Sequence, residues 1–361
     1  MTQEEEVSLK AQVKKFAITN MIGFQSVLVV GIGKRLGIFD YLYNKANTEK
    51  IEEEVTCLSF TLEELSQNLK LNITYLDAWF HMGLECGIFE IDEASERMVK
   101  TSPHVFDIFI NRKHRSYVGG TISNFYKIVG YQERILEGFK SGKTGAILDM
   151  LPRDYKAGQQ SSARVGTLTE RLFAKYLIED KEKLQNGADV LEVGCGYGFN
   201  LEIWASKYRK AKFVGIDIDP NGIKHAKILV EGYNWSDRVI VHEIPLEQYI
   251  QIIDKKFDFI ILNQVLHEMV PDKNYRLGAL RNIYNLLKDD GLLIVGESMI
   301  PDIFAPKKEF QLYDIMHKWL EVSFGAYFYD ENEFTQLIKS ARFKKIKLIK
   351  EHGNYFWAIR K

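Results

Sequence analysis

Cysteine is scarce in this chain of 361 residues: Cys57, Cys86 and Cys195 are an odd three, widely spaced, with no C-x-x-C pair. That argues against a disulfide framework or a cysteine zinc site and suits a reducing compartment. An excess of charge is also missing, since 48 Lys and Arg against 49 Asp and Glu leave a net charge of -1. No global electrostatic case exists for binding nucleic acid or an anionic membrane. Long hydrophobic runs are absent too. The apolar run from Met21 to Ile32 stops at Lys34-Arg35, short of the ~20 residues that cross a bilayer. The beginning, MTQEEEVSLK, is acidic and lacks the basic-then-apolar layout of a signal peptide. These absences lead to the expectation of a soluble cytoplasmic protein with neither a membrane nor a nucleic-acid partner. The length suffices for two domains and a sizeable core.

What is present centres on DVLEVGCGYG, residues 189–198. Asp189-Val190-Leu191-Glu192-Val193 is apolar, β-branched and bounded by a turn signal, as a short buried strand should be. Gly194-Cys195-Gly196-Tyr197-Gly198 is the turn, and a helical pattern (Leu201, Ile203, Trp204, Tyr208) follows from Phe199. Strand, glycine turn and helix form the nucleotide-binding corner of a doubly wound sheet. A dinucleotide fingerprint fails here, because the slot three after Gly196 is Phe199. The spacing is instead Glu192-x-Gly194-x-Gly196-x-Gly198. A carboxylate ahead of the first glycine would repel a pyrophosphate. It suits a ligand with an ammonium group and no phosphate, such as S-adenosylmethionine. A second buried strand, Phe213-Val214-Gly215-Ile216-Asp217, ends in an acid about 20 residues on, placed to accept bonds from ribose hydroxyls.

This pair of motifs resembles class I S-adenosylmethionine-dependent methyltransferases, whose first motif reads E/D-x-G-x-G-x-G. The resemblance implies cofactor contacts from Glu192, Gly194, Cys195, Gly196, Asp217 and Ile218. It also implies a seven-stranded, mostly parallel α/β sheet closed by an antiparallel strand.

The order of elements fits that sheet. Helical and strand patterns alternate through Pro220–Tyr233, Arg238–Glu243, Phe257–Asn263, Asp272–Leu287, Gly291–Glu297, Asp330–Ala341, Phe343–Lys350 and Asn354–Arg360. Glu351-His352-Gly353 makes the last two strands a hairpin. The family tends to place an adenine-binding Asp after the third strand. Pro245 takes that slot here, which leaves Glu243 and the backbone of Ile244. Polar Asn263 and Gln264 interrupt the apolar run at the end of the fourth strand, where such sheets bind ligands.

Before this domain, residues 7–45 look helical, with Phe16, Met21, Phe24, Val27, Leu28, Ile32, Leu36 and Phe39 on a broad apolar face. Gly31-Ile32-Gly33 and Gly37 follow no strand, so they make no nucleotide loop. Thr61 and Glu64 read as a capping box, and a second helix spans Thr74 to Cys86. Ile88–Ile91 and Arg97–Lys100 then form a small wing. Helix, helix and wing resemble a winged helix-turn-helix. The second helix carries Asp77 and Glu85 and no Lys or Arg, so it would repel a polyanion. Plant-type O-methyltransferases and their bacterial relatives use such a module to dimerise, and Leu36-Gly37-Ile38-Phe39-Asp40-Tyr41-Leu42 resembles their first helices. Homodimerisation through the apolar helix of residues 16–39 is the implied role.

The expected domains are 1–110, winged helix and dimerisation; 111–180, helical linker and substrate lid; and 181–361, cofactor binding. The middle stretch is rich in tyrosine (Tyr117, Tyr126, Tyr131, Tyr155, Tyr176), which gives a pocket apolar walls with polar tips. Ser141-Gly142-Lys143-Thr144-Gly145 mimics the tail of a P-loop, but Glu137 stands where its first glycine belongs. Arg164 or Arg171 is a candidate partner for the cofactor's carboxylate.

The resemblance also assigns chemistry. His267 matches the histidine that removes the acceptor proton, and Glu297, closing the fifth strand, matches the acid that orients it. A neutral hydroxyl is a poor nucleophile, and an imidazole with a pKa of about 6.5 can take its proton near neutrality. Asp314, Met316 and Phe328 fall where the family faces its small-molecule acceptor. The family's second flanking glutamate falls at Phe328, so a more apolar surround is expected; no metal is required. Methyl transfer to sulfur, nitrogen or carbon by positioning and desolvation is the alternative. A winged-helix regulator that senses the cofactor is a further one.

Overall fold

The computed structural model describes residues 8–48, 57–93, 97–111, 114, 116–269, 272–304, 312–351 and 354–361. The hairpin turn expected at His352-Gly353 and the first seven residues lie outside them. The chain divides into two compact units, 1–130 and 131–361.

In the first unit, Leu9–Lys14 is α-helical, Lys15–Thr19 is a π-helical turn, and Asn20–Arg35 continues as α-helix. Together they make a helix of 27 residues, long and apolar enough by length and composition to cross a membrane. The run Met21–Ile32 underestimated it because the helix continues through Lys14 and Lys15. Its later part packs in the core of the unit, with Val29 and Val30 fully buried. Gly31 and Gly33 serve that packing: a Cβ on Gly31 would lie 2.2 Å from Tyr126 Cγ, and one on Gly33 2.5 Å from the Phe39 ring. These glycines let rings lie on the helix backbone and bind no phosphate.

Gly37, at φ 73°, turns the chain into the helix Ile38–Thr48. Thr61 caps Leu62–Leu69 by accepting from the Glu64 amide, as expected. The reciprocal half of the box does not form, because Glu64 accepts from Tyr41 and Lys45 instead. Asn72 caps the helix Ile73–Glu85, whose Asp77 and Glu85 are exposed. The wing strands Phe89–Ile91 and Val99–Thr101 pair antiparallel, joined by Ser59–Phe60, a strand too short for periodicity to reveal. Phe39, Phe60, Trp79, Phe80 and Phe89 fill the core between helices and wing.

The second unit is a seven-stranded sheet. Its strands are β1 (Asp189–Val193), β2 (Lys212–Asp217), β3 (Val239–Glu243), β4 (Phe257–Asn263), β5 (Leu287–Gly296), β6 (Lys345–Glu351) and β7 (Asn354–Arg360), in the order β3-β2-β1-β4-β5-β7-β6. β3 to β5 are parallel, and β7 enters antiparallel between β5 and β6. Every residue of β4 is buried, which explains its unbroken apolar run.

The two faces of the sheet carry separate cores. Trp204, Phe213, Phe259 and Phe356 lie in one, and Leu280, Leu293, Phe334 and Trp357 in the other. Register then places the functional residues side by side: Glu192 is level with Gly215 and Ile261, and Asn263 with Gly296. The carboxyl ends of β1, β2, β4 and β5 therefore form one shelf. Across it runs the long helix α1 (Pro152–Tyr176), with Pro152 as its first residue. Thr169 of α1 fits over Gly296, where a Cβ would come within 2.4 Å of its hydroxyl.

Leu293, fully buried at the middle of β5, tests this packing. Leu293→Ala is expected to lower stability by about 2–5 kcal/mol, read as an earlier midpoint in urea denaturation.

Candidate active site

The glycine turn is built as its sequence requires. Gly194, Gly196 and Gly198 take φ of 73°, 48° and 80°, a region that L side chains avoid. The amides of Gly194 and Cys195 donate to the Ile216 carbonyl at 2.8 and 3.1 Å, tying the turn to β2. Gly196 N–H donates to Asp217 Oδ2 at 2.7 Å, and Asp219 N–H to Asp217 Oδ1 at 2.8 Å. Asp217 thus shapes the turn as well as ending β2, a function that spacing alone did not show. Burial raises its carboxyl above the usual range, against those backbone donors. The helices α2 (Phe199–Lys207) and α3 (Pro220–Gly232, capped by Asp219) begin on either side of it.

Glu192 is buried. Its Oε1 accepts from the Asn200 amide at 2.8 Å, while Oε2 meets no hydrogen-bond partner among the described residues. Burial pushes this carboxyl up to about 8, partly offset by Asn200. An orphaned buried acceptor at this place fits a ligand that brings a cationic donor. Cys195 is buried, and burial raises its thiol. Ile218 is exposed, and Glu243 stands exposed at the end of β3. Ile244 N–H donates to the Asp217 carbonyl at 2.8 Å, which brings that loop beside the turn. Asn263 donates from Nδ2 to the Ser162 carbonyl of α1 at 3.3 Å. Gln264, at φ 57°, turns toward β5, where its Oε1 accepts from Ser298. Gln159 of α1 lies over Gly196: a Cβ there would fall 2.3 Å from its amide oxygen. Arg164 and Arg171 on α1 are exposed.

The second cluster lies just beyond β4. His267 is fully buried. Its Nδ1 is 2.5 Å from Glu297 Oε1, and its Nε2 is 3.1 Å from Glu321 Oε2. Glu297 is itself fixed, because its Oε2 accepts from the Leu266 amide at 3.1 Å. Glu321 ends the helix α5 (Leu312–Glu321), and its Oε1 is 2.5 Å from His317 Nε2 one turn earlier. Phe328 stacks on His267 with centroids 4.6 Å apart, and Tyr327 N–H donates to the His267 carbonyl at 2.8 Å. Asp314 accepts from Ser298 Oγ at 2.7 Å, with burial raising its carboxyl; Met316 is half-buried on the same helix.

Burial alone would lower the His267 pKa, but Glu297 and then Glu321 outweigh it and hold the ring well above its usual range. Tyr155 of α1 lies between the clusters. Its phenol is raised by burial and by the charges of Glu268 and Asp217.

The expectation of an apolar surround is therefore corrected. Phe328 does cover the ring, yet Glu321 supplies the second flanking carboxylate from another element, and Glu268 approaches Nε2 to 3.9 Å. The i,i+4 pair His317 and Glu321 on one helical face was the available signal.

Against known proteins, residues 191–293 match the Methyltransferase domain family. The chain is 33% identical over 158 residues to the ribosomal protein L11 methyltransferase of Thermosipho africanus, covering 44% of this chain and 53% of that protein. It is 25% identical over 189 residues to myricetin 3-O-methyltransferase 3 of Solanum habrochaites, covering 51% and 47% respectively. The chain spans about half the length of the curated relatives it matches. Solved structures of similar fold include a mitomycin 7-O-methyltransferase (TM-score 0.72, 14% identity, 98% of each chain). Human N-acetylserotonin methyltransferase with bound cofactor is another (TM-score 0.67, 15% identity, 100% of this chain and 99% of that one). The match over residues 191–293 marks a methyltransferase domain within the second unit.

Glu192 gives a test by pH. Its carboxyl titrates near 8 in the folded chain and near 4.3 when unfolded. The folded state therefore holds the proton over that interval. Stability from this group is full below about pH 4.3 and is lost as pH rises toward 8. Glu192→Gln is expected to remove a decline on the order of a few kcal/mol, seen by comparing denaturation midpoints of the cofactor-free proteins at pH 5 and pH 8.

Proposed function

We propose that this protein transfers the methyl group of S-adenosylmethionine to a hydroxyl of a small molecule bound against His267. The observation that carries this reading is the buried carboxylate–imidazole pair at the end of β4, one strand from the glycine turn. When bound, the cofactor would supply an electrophilic methyl on its sulfonium, with S-adenosylhomocysteine as the leaving group and the acceptor's proton taken by His267. Glu192 would hold its ammonium, the turn from Gly194 to Gly196 its backbone-facing side, and Asp217 its ribose. Ile218, Glu243 and Ile244 would border its adenine, with Asn263 and Gln264 at the β4 edge.

In the acceptor half, Glu297 fixes His267 through Nδ1 and leaves Nε2 as the nitrogen that meets substrate. Glu321 occupies Nε2 in the resting chain. An acceptor hydroxyl must displace it, and that removes one of the charges that keep the ring protonated. Displacement by substrate thereby brings the imidazole toward the range where it accepts a proton. Phe328, Met316 and Asp314 form the wall that the acceptor faces, and Tyr155 on α1 supports lid closure over both ligands. His267→Ala should lower kcat by about 10²–10⁴-fold with the affinity for S-adenosylhomocysteine retained. A loss under about threefold would favour transfer to sulfur, which needs no proton removed at that step.

Assembly belongs to the same reading. Leu9, Val13, Phe16, Ile18, Met21 and Phe24 are exposed apolar side chains along one helix. The surface for a second copy is thus residues 9–24, earlier than the expected 16–39, whose later part is core. Phe16→Asp with Phe24→Asp should shift a dimer to a monomer in light scattering, while an unchanged mass would remove this helix from the interface.

A further inference from the structure

We propose that Arg276 and Tyr329 form a binding site for the carboxylate of a small organic acid, separate from the groups that face the methyl acceptor. Arg276 lies on the helix Lys273–Leu286 and is 2% exposed. Its Nε and Nη2 meet no hydrogen-bond partner among the described residues, and neither does the hydroxyl of Tyr329, likewise 2% exposed. A guanidinium shut off from water without an opposite charge is strongly destabilising, so this place in the fold calls for an anion.

The surroundings hold the cation without neutralising it. Its Cζ is 5.3 Å from the centre of the Tyr327 ring and 5.7 Å from that of Tyr329, while Phe328, between them in sequence, stacks on His267. Burial raises the Tyr329 phenol to about 12 and Arg276 beside it works against that rise, yet the two side chains do not meet hydrogen-bond geometry. The acids around them are committed elsewhere. Glu333 accepts from the Tyr327 hydroxyl at 3.0 Å, Asp330 accepts from the Glu333 amide at 2.8 Å, and Glu297 holds His267.

Nε and Nη2 are the side-on edge of a guanidinium, whose two parallel N–H bonds match the two oxygens of a carboxylate. The Tyr329 hydroxyl adds a third donor. One buried cation is balanced by one negative charge, which favours a monocarboxylate over dianionic phosphate, and chloride cannot use the fork. Tyr327 is 45% exposed, so the guanidinium lies one ring beneath the surface and a small acid can reach it past that ring. The inference goes beyond the proposed function, since neither His267 nor the glycine turn takes part.

The test is calorimetric titration of the full chain with acetate, inorganic phosphate and chloride at constant ionic strength, alongside thermal denaturation in each. Acetate is expected to bind saturably and to raise Tm as its site fills, with chloride and phosphate doing neither. Arg276→Lys keeps the charge but loses the fork, and should weaken acetate by about 10-fold or more. Tyr329→Phe keeps the ring and should weaken it by about 3-fold or more, with S-adenosylhomocysteine binding as the check on folding in both variants. No saturable effect of acetate on the wild type would overturn the site, as would tighter binding of phosphate or chloride, or undiminished acetate affinity in both variants.

Discussion

The second unit depends on one buried interaction, the His267 imidazole gripped between Glu297 and Glu321. Charged groups out of water are destabilising unless each meets an opposite charge or a donor. Here the demand is met from three elements: the loop after β4, the end of β5 and the end of α5. Glu297 also takes the Leu266 amide, and Glu321 takes both imidazoles. None of these pieces can move alone without stranding a buried charge. Residues 264–269, between β4 and α4 (Lys273–Leu286), and the helix α5 are thereby fixed at the edge of the sheet where ligands bind.

Around this clamp the site divides its work by chemistry. The end near β1 and β2 offers backbone amides held by Asp217 and a buried carboxylate with one free oxygen, Glu192. It suits a cationic nucleoside. The end near β4, β5 and α5 concentrates imidazoles and carboxylates under the Phe328 ring. Tyr155 and Gln159 reach from α1 toward both ends, so one helix touches the two halves.

Much of this was legible in the chain itself. The alternation of βα units and the buried character of β1, β2 and β4 follow from residue type and period. The glycine spacing follows from the positive φ that only glycine adopts without strain. His267 and Glu297 were marked out by the family resemblance: His267 stands four residues beyond the end of β4, and Glu297 directly follows β5. Glu321 was not, because its partner lies 54 positions away in sequence and reaches His267 only when α5 docks. The capping pair at Thr61 shows the same limit. Its local half formed, while Glu64 left for Tyr41 and Lys45, partners that only packing supplies.

Sequence alone determined the fold class and the glycine turn of the cofactor motif. Those depend on local backbone preference and on hydrophobic period, which are properties of short segments. Tertiary structure decided the company His267 keeps: Glu321, His317 and Glu268, together with the Phe328 cover. A buried charge is stabilised by whatever the completed fold brings within about 3–4 Å, and no local pattern encodes that neighbourhood.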